Sequence, residues 1–206
     1  WEQHPYELWT RQAIALASVE KTKTMRKKWE KKFFSILEDF KFVPGGRIMH
    51  GAGREDITTT LNNCYVVAVS DDSIKAIYDT IINEALTYKY GGGCGHDLSV
   101  LRPAGKAING TGGESCGPTG FMNLFSENTN TIAQHGRRGA NIQTLRVDHP
   151  DIEKFISIKT GDIDMVKYSN ISVLLTHDFM EAVKEDNDFD LTYNGEVYRT
   201  IKAVDL

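Results

Sequence analysis

Apolar residues recur at helical spacing through the first forty positions of the chain. In WEKKFFSILEDF one stripe carries Trp29, Phe33, Ile36, Leu37 and Phe40, with Lys and Glu outside it. The pattern breaks at FVPGGRIMHGAG, where Pro44 and four glycines end the helix and favour a loop. We therefore predict a helical region over residues 1–42, followed by a second region over residues 43–206.

The second region alternates between strand and helix patterns. NNCYVVAV, DLSVLR, IQTLRV and NISVLLT are short apolar runs typical of buried strands. Amphipathic segments beginning near residues 72, 119, 150 and 177 separate them, and Asn194-Gly195 predicts a hairpin with a type I′ turn. Such alternation favours an α/β fold with a largely parallel sheet or barrel.

Glycine clusters interrupt this alternation at residues 45–53, 91–95, 110–117 and 136–139. Glycine allows a backbone N–H to approach an anion closely. Ligands of α/β folds bind where strand ends meet loops, and the four clusters fall at such junctions. We therefore expect a site for phosphorylated ligands, in which GGGCGHD, the cluster at 91–97, is a loop.

Composition and charge narrow the function classes. The chain has 206 residues, a net charge of −4 and 25% charged residues, which argues against a nucleic-acid surface. No apolar run reaches the roughly 18 residues of a membrane span, and WEQHPYELW is not typical of a signal peptide. A globular protein without nucleic-acid or membrane partners is expected.

The three cysteines, Cys64, Cys94 and Cys116, are widely spaced and odd in number. This usage argues against a disulfide scaffold and for a reducing compartment, so we expect a cytoplasmic protein. Cys94 and His96 could share a metal ion, but no further ligands are evident, and we predict no metal site.

Five segments in order make the pattern specific: FVPGGRIMHGAG, NNCYVV, GGGCGHDLSVLRPAG, GTGGESCGP and GRRGANIQTLRVDHPDIEKFI. Together they resemble the large catalytic subunit of ribonucleotide reductase, most closely the adenosylcobalamin-dependent class. The resemblance implies a helical region followed by part of a ten-stranded α/β barrel. It also implies radical-based replacement of the ribose 2′-OH by hydrogen, on a ribonucleoside diphosphate or triphosphate.

The resemblance assigns the substrate side of the site. Cys64 matches the first member of the redox cysteine pair, which a thioredoxin-type reductant would restore. Without the resemblance, a buried inert thiol would be the better interpretation of Cys64. Asn63 and Gly93 match residues that line the substrate, and Gly46 lies in a loop from Pro44 to Arg47 expected to hold substrate phosphates. Cys94 and Cys116 match no motif cysteine.

A second nucleotide site, for a deoxynucleoside triphosphate or ATP effector, is also implied. Its matching residues are Asp71, Asp72 and Ser73, with Arg102 at the effector phosphates and Asn109 in a first specificity loop. The acidic residues and Ser73 would equally serve as simple helix caps, and both roles are compatible. Gln134 and Arg138 match a second specificity loop that connects effector and substrate.

The resemblance further implies a homodimer through helices 72–90 and 119–134. The radical cysteine and the second redox cysteine match no position here, so we expect a fragment or split half that needs its C-terminal half for turnover. Adenosylcobalamin would bind mostly outside the segment. Two alternatives stay open: a non-catalytic deoxynucleotide sensor, and an oxygen-independent glycyl-radical reductase.

Overall fold

The computed structural model describes residues 2–110, 112–134, 137–161 and 165–206, apart from the side chains of 133–138 and 161. They form two compact units, residues 1–63 and 64–206. The first unit contains helices α1 (Pro5–Ala17), α2 (Lys23–Leu37) and α3 (Gly46–Gly51). Among the described residues, no helix combines the length and hydropathy needed to cross a membrane.

The first unit is held together by aromatic packing. Tyr6 and Trp9 of α1 meet Phe34 of α2 edge-on, with ring centroids 5.2 and 6.5 Å apart. Thr22 begins α2 by accepting a hydrogen bond from the Met25 amide. Two residues of the predicted stripe take part in this packing: Phe40 lies edge-on to Trp9, with ring centroids 5.1 Å apart, and Leu37 is buried. Phe34 was not part of that stripe.

The segment FVPGGRIMHGAG is not the simple loop that its glycines predict, because Gly46–Gly51 is helical. Arg11 of α1 supplies the reason. Its guanidinium donates to the carbonyl oxygens of Met49, at 2.9 Å, and Ala52, which neutralises unpaired acceptors at the end of α3. Gly46 is therefore the first residue of a short helix.

The second unit is built on a four-stranded parallel sheet. Its strands are β1 (Cys64–Val66), β2 (Gly93–Asp97), β5 (Asn141–Arg146) and β6 (Ser169–Leu174), and they lie side by side in that order. Between them run helices α4 (Ile74–Lys89), α5 (Gly117–Thr131) and α6 (Ile152–Gly161). The prediction of an α/β fold is confirmed, although the described strands form an open sheet and not a closed barrel.

Two antiparallel pairs complete the unit. Strands β3 (Ala133–Gln134) and β4 (Arg137–Arg138) pair briefly, and helix α7 (His177–Glu185) leads into the hairpin β7 (Asp188–Tyr193) and β8 (Glu196–Lys202). Asn194 and Gly195 have φ of 50° and 79°, as the predicted type I′ turn requires. Leu191 of the hairpin is fully buried in the main core.

The glycine cluster at 91–97 is a second place where the secondary-structure prediction was wrong. Gly93–Asp97 is strand β2, and the predicted strand DLSVLR is mostly a turn. A Cβ at Gly92 would lie 2.8 Å from a Tyr65 ring carbon, and one at Gly95 would lie 3.1 Å from Ile142 Cγ2. The glycines thus serve close packing with side chains of the neighbouring strands.

Candidate functional site

The two faces of the parallel sheet differ in what they carry. Cys94 and His96 of β2 and Asn141 and Gln143 of β5 are buried against α4 and α5. Strand alternation puts their neighbours on the opposite face, where Val66 is 88% exposed. This open face carries Cys64, Val66, Gly93, Gly95, Asp97, Ile142, Thr144, Arg146, Asn170, Ser172 and Leu174.

Cys64 lies at the amino end of the open face and is exposed. Its direct partner on β2 is Gly93, and the next pair on this face is Val66 with Gly95. Because both partners are glycines, no side chain of β2 stands beside the thiol on this face. The structure therefore brings together two of the predicted substrate-side residues, the exposed Cys64 and the half-buried Gly93.

Cys94 is adjacent in space to Cys64 but points to the covered face. It pairs with Tyr65, and its side chain is buried. Burial raises the pKa of the Cys94 thiol to about 11. Two thiols on opposite faces of a sheet cannot reach disulfide geometry. Cys94 is thus excluded as the redox partner of Cys64 in this arrangement.

Charged and hydroxyl groups converge at the carboxyl end of the sheet. Arg102, after β2, donates from Nε to Asp72 Oδ2 at 2.5 Å and from Nη2 to the Asp72 carbonyl at 3.2 Å. Tyr193 of the hairpin approaches the same carboxylate at 3.4 Å and donates to the Val100 carbonyl at 2.9 Å. Burial, together with the Asp72 charge, raises the pKa of Tyr193. Two predicted effector residues, Asp72 and Arg102, therefore form one cluster.

Asp71 and Ser73 flank Asp72 in the sequence, and their side chains accept hydrogen bonds from backbone amides. Asp71 Oδ1 accepts from the Asp72 amide at 2.8 Å, and the Ser73 hydroxyl caps α4 through the Ala76 amide at 3.2 Å. Asn109 lies in an exposed turn closed by the Ile108 amide on the Gly113 carbonyl. Capping of α4 is therefore observed for Ser73, while Asp71 and Asn109 keep their predicted roles as proposals.

Lys106 joins this end of the sheet to the hairpin, a contact not evident in the sequence. Its Nζ lies 2.7 Å from the Tyr198 hydroxyl and 3.3 Å from Glu196 Oε2. The Tyr198 hydrogen bond raises the Lys106 pKa. Because ninety residues separate these partners, periodicity could not reveal the pairing, and the only signal was the density of tyrosines in the hairpin.

The remaining predicted residues fall elsewhere. Gln134 and Arg138 belong to the short β3–β4 pair, in which Ala133 faces Arg138, and their side chains lie outside the described part of the chain. Gly46 and Asn63 belong to the first compact unit. Their roles at the substrate stay predictions.

A buried polar network on the covered face was also missed. Glu84 Oε1 lies 2.5 Å from the Tyr88 hydroxyl, 3.0 Å from His96 Nε2 and 2.5 Å from Asn141 Nδ2. Glu84 Oε2 accepts from Asn128 at 2.6 Å. The signal was available, because Glu84 falls at helical spacing between the apolar residues Ile77 and Tyr88 of α4.

Family models match both units of the chain. The model described as ribonucleotide reductase, all-alpha domain, covers residues 1–56, and the model described as ribonucleotide reductase, barrel domain, covers residues 62–204. The second match alone covers more than half of the chain.

Individual relatives agree with the family models. A vitamin B12-dependent ribonucleoside-diphosphate reductase of Thermoplasma acidophilum is 36% identical over 178 residues, covering 85% of this chain and 23% of that protein. Its namesake in Mycobacterium tuberculosis is 31% identical over 183 residues, covering 87% of this chain and 26% of that protein.

A ribonucleoside-diphosphate reductase subunit alpha of Chlamydia muridarum is 33% identical over 161 residues, covering 77% of this chain and 15% of that protein. The chain thus spans about a quarter or less of the length of these relatives. Both of its units are nonetheless matched, and the chain belongs to the ribonucleotide reductase family.

Proposed function

We propose that the protein to which this chain belongs reduces ribonucleotides to deoxyribonucleotides by radical chemistry, and that Cys64 is one of its two reducing thiols. The observation that carries the proposal is the exposed thiol on the open face, beside a strand whose facing residues are Gly93 and Gly95. A nucleotide sugar needs such space to bring its 2′ carbon to a sulfur atom. The family match supplies the reaction class.

The proposed reaction balances with two thiols. The C2′–O bond breaks, the hydroxyl group leaves as water, and hydrogen takes its place. Two cysteine thiols lose two electrons and two protons as they form a disulfide. Since Cys94 points to the other face and Cys116 matches no motif cysteine, we propose that the second thiol belongs to another segment of the whole protein. A thioredoxin-type reductant would restore the pair.

The remaining substrate contacts rest on the family resemblance. Gly93 offers backbone beside Cys64, and Asn63, the residue before Cys64, offers an amide to the ribose or phosphate. Gly46, at the start of α3, is proposed to approach the phosphates. These three assignments are supported by motif position, with the Cys64–Gly93 register as the geometric support for one of them.

The carboxyl-end cluster is proposed as the effector site for a deoxynucleoside triphosphate or ATP. Arg102 provides a planar cation for phosphate oxygens, and Asp72 currently occupies two of its donors. An effector phosphate would therefore have to compete with Asp72 for Arg102. Asp71, Ser73 and Asn109 are proposed to contact the same ligand, and Gln134 and Arg138 to relay its identity to the substrate.

We propose adenosylcobalamin as the source of the radical in the whole protein, because several relatives are named vitamin B12-dependent reductases. The described open face offers no imidazole to a cobalt ion, and both ring nitrogens of His96 are hydrogen-bonded in the core. We therefore assign no cobalamin contact to this segment. A cytoplasmic location follows as a proposal from the three free cysteines.

A homodimer through α4 and α5 is supported by an apolar stripe on α4. Ile74, Tyr78, Ile82 and Leu86 recur every four residues and are 48–62% exposed. α5 lies alongside, joined to α4 by Asn128 on the Ile81 carbonyl at 3.3 Å. Such a stripe is typical of a helix that packs on a partner. In sedimentation experiments Ile82→Arg should shift the protein toward monomer, and an unchanged mass would reject this interface.

Replacing Cys64 tests the proposed function in the full-length protein. Cys64→Ser should abolish multiple turnover with a thiol reductant, because a hydroxyl cannot form the disulfide. Cys116→Ser, which removes the other exposed thiol, is the matched control and should retain turnover. Normal multiple turnover by Cys64→Ser would reject the redox role. Nucleotide binding without any reduction by the wild-type protein would favour the sensor alternative.

A further inference from the structure

The buried network around Glu84 joins two helices and two strands of the second unit, namely α4, α5, β2 and β5. Glu84, Tyr88, His96, Thr129 and Asn141 are all at most 3% exposed. Tyr88 and two amides place donors on the carboxylate, and His96 adds a ring nitrogen. Burial of a carboxylate is tolerated when its oxygens are hydrogen-bonded in this way, and removing one member of the network leaves buried polar groups without a partner.

The outer members of the network reach different ends of the strands. His96 Nδ1 donates to the Val67 carbonyl at 2.9 Å, just beyond the carboxyl end of β1. Asn141 is the first residue of β5, and the Ala140 carbonyl before it accepts from the Cys94 amide at 2.8 Å. The Glu84 carboxylate therefore contacts β2 and the amino end of β5 directly, and through His96 it reaches the residue that follows β1.

Tyr88 adds a steric contact to the segment that precedes β5. A Cβ at Gly139 would lie 2.9 Å from two carbons of the Tyr88 ring, closer than side-chain carbons approach. Gly139, the residue after Arg138, therefore packs directly against the buried ring of Tyr88. Any movement of the Tyr88 end of α4 must move Gly139 or break this packing.

α4 connects this network to the carboxyl end of the sheet. The helix begins at the Ser73 cap, next to Asp72, and runs sixteen residues to Lys89. At 1.5 Å per residue it spans about 24 Å. Since α4 is a continuous helix, a displacement at its capped end is carried to Glu84 and Tyr88.

We propose that Glu84 is a positioning residue that couples α4 to β2 and to the amino end of β5, so that effector binding at Asp72 and Arg102 alters the backbone beside Cys64. The proposal rests on the proposed function, because it assigns the two ligands to the two ends of the sheet. The role belongs to Glu84 because its two oxygens are the only atoms that meet both helices and both strands within this described network.

The Glu84→Gln variant tests this coupling while keeping side-chain volume. One carboxylate oxygen becomes an NH₂ group, which must face a donor of Asn128, Tyr88 or Asn141. Glu181→Gln is the matched control, because Glu181 forms a similar pair with His177 at 3.1 Å on the exposed surface of α7. Calorimetry on the full-length protein would measure CDP affinity with and without each of the four deoxynucleoside triphosphates, and each triphosphate alone.

The expected result is loss of coupling without loss of binding. In Glu84→Gln, the ratio of CDP affinities with and without the best effector should fall to within about twofold of one, while each nucleotide alone binds within about threefold of wild type. Exchange of the Cys94 amide should rise at least about tenfold, with α7 unchanged. A residue with only a structural role would instead weaken both affinities together.

Each other outcome is decisive. Wild-type coupling in Glu84→Gln, or an unchanged Cys94 exchange rate, would overturn the role of Glu84 and leave the proposed function intact. A wild-type protein that binds neither CDP nor any triphosphate would overturn the proposed function, and the coupling role with it. An equal loss of coupling in Glu181→Gln would also overturn the assignment, because an exposed pair has no contact with the strands.

Discussion

The two ends of the parallel sheet differ in the side chains that they carry. At the amino end, Cys64 stands beside Gly93 and Gly95 on a face with little side-chain cover. At the carboxyl end, Asp72 and Arg102 are paired and the hairpin residue Tyr193 closes over them. The contrast fits the two ligand sites that we propose: a reacting group needs access, whereas a recognition site needs charges held in place.

Thiol labelling gives the largest expected contrast within the amino end. At pH 8 a thiol of pKa about 11 is roughly 0.1% thiolate, and Cys94 is also buried. We expect iodoacetamide to modify Cys64 and Cys116 at least about a hundredfold faster than Cys94 in the native chain. The Cys94 rate should rise with pH toward 11, because its thiol is neutral below that value. Mass spectrometry of tryptic peptides measures all three rates.

Equal labelling of Cys64 and Cys94 under native conditions would break the assignment of these thiols to opposite faces. The same reaction in denaturant is the control, since all three thiols should then react alike. This comparison requires no nucleotide and no activity, so it tests the site geometry independently of the proposed function.

Arg102→Ala should have the next largest effect, at the carboxyl end. Loss of a charge-assisted contact to phosphate costs about 1.5–3 kcal/mol, or roughly 10- to 150-fold in effector affinity. Arg146→Ala is the control, because Arg146 pairs with Asp148 at 2.9 Å and is not assigned to the effector. Substrate affinity without effector should stay near wild type in both variants. Equal losses for the two variants would contradict a specific role for Arg102.

Tyr193→Phe should have the smallest effect. The change removes the hydroxyl that donates to the Val100 carbonyl and approaches Asp72, without changing the ring. The free energy of unfolding should fall by about 0.5–1.5 kcal/mol, the range for one hydrogen bond, as measured by urea denaturation. No change in stability together with unchanged effector affinity would show that the hairpin does not support this cluster.

The sequence predicted elements whose signals are local. The Asn194-Gly195 turn, α7 and β5 were predicted near their observed positions, because turn chemistry and periodicity are carried by adjacent residues. β2 was misplaced because its glycines lower the strand propensity of the segment. The reason for glycine at these positions is close packing against Tyr65 and Ile142, which only the structure reveals. α3 was missed because its end is stabilised by Arg11, which lies far from it in the chain.

The residues of the candidate site were likewise predictable only in part. Cys64, Gly93, Asp72 and Arg102 were predicted through motif resemblance, and the structure adds that they form two pairs at opposite ends of the sheet. Their roles stay predictions. Tyr193 and Lys106 were not predictable, because the contacts of Tyr193 with Asp72 and of Lys106 with Tyr198 span 121 and 92 residues. Contacts between residues so far apart in the chain depend on the fold, and no periodic pattern in the sequence indicates them.

The most direct test of the central claim is the fate of Cys64 during a single turnover. The full-length protein, reduced and then freed of external reductant, would be given CDP with its radical cofactor and quenched with an alkylating reagent. The account predicts that Cys64 becomes part of a disulfide in proportion to the dCDP formed, while Cys94 stays reduced. Formation of dCDP with Cys64 still fully alkylated as a free thiol would contradict it.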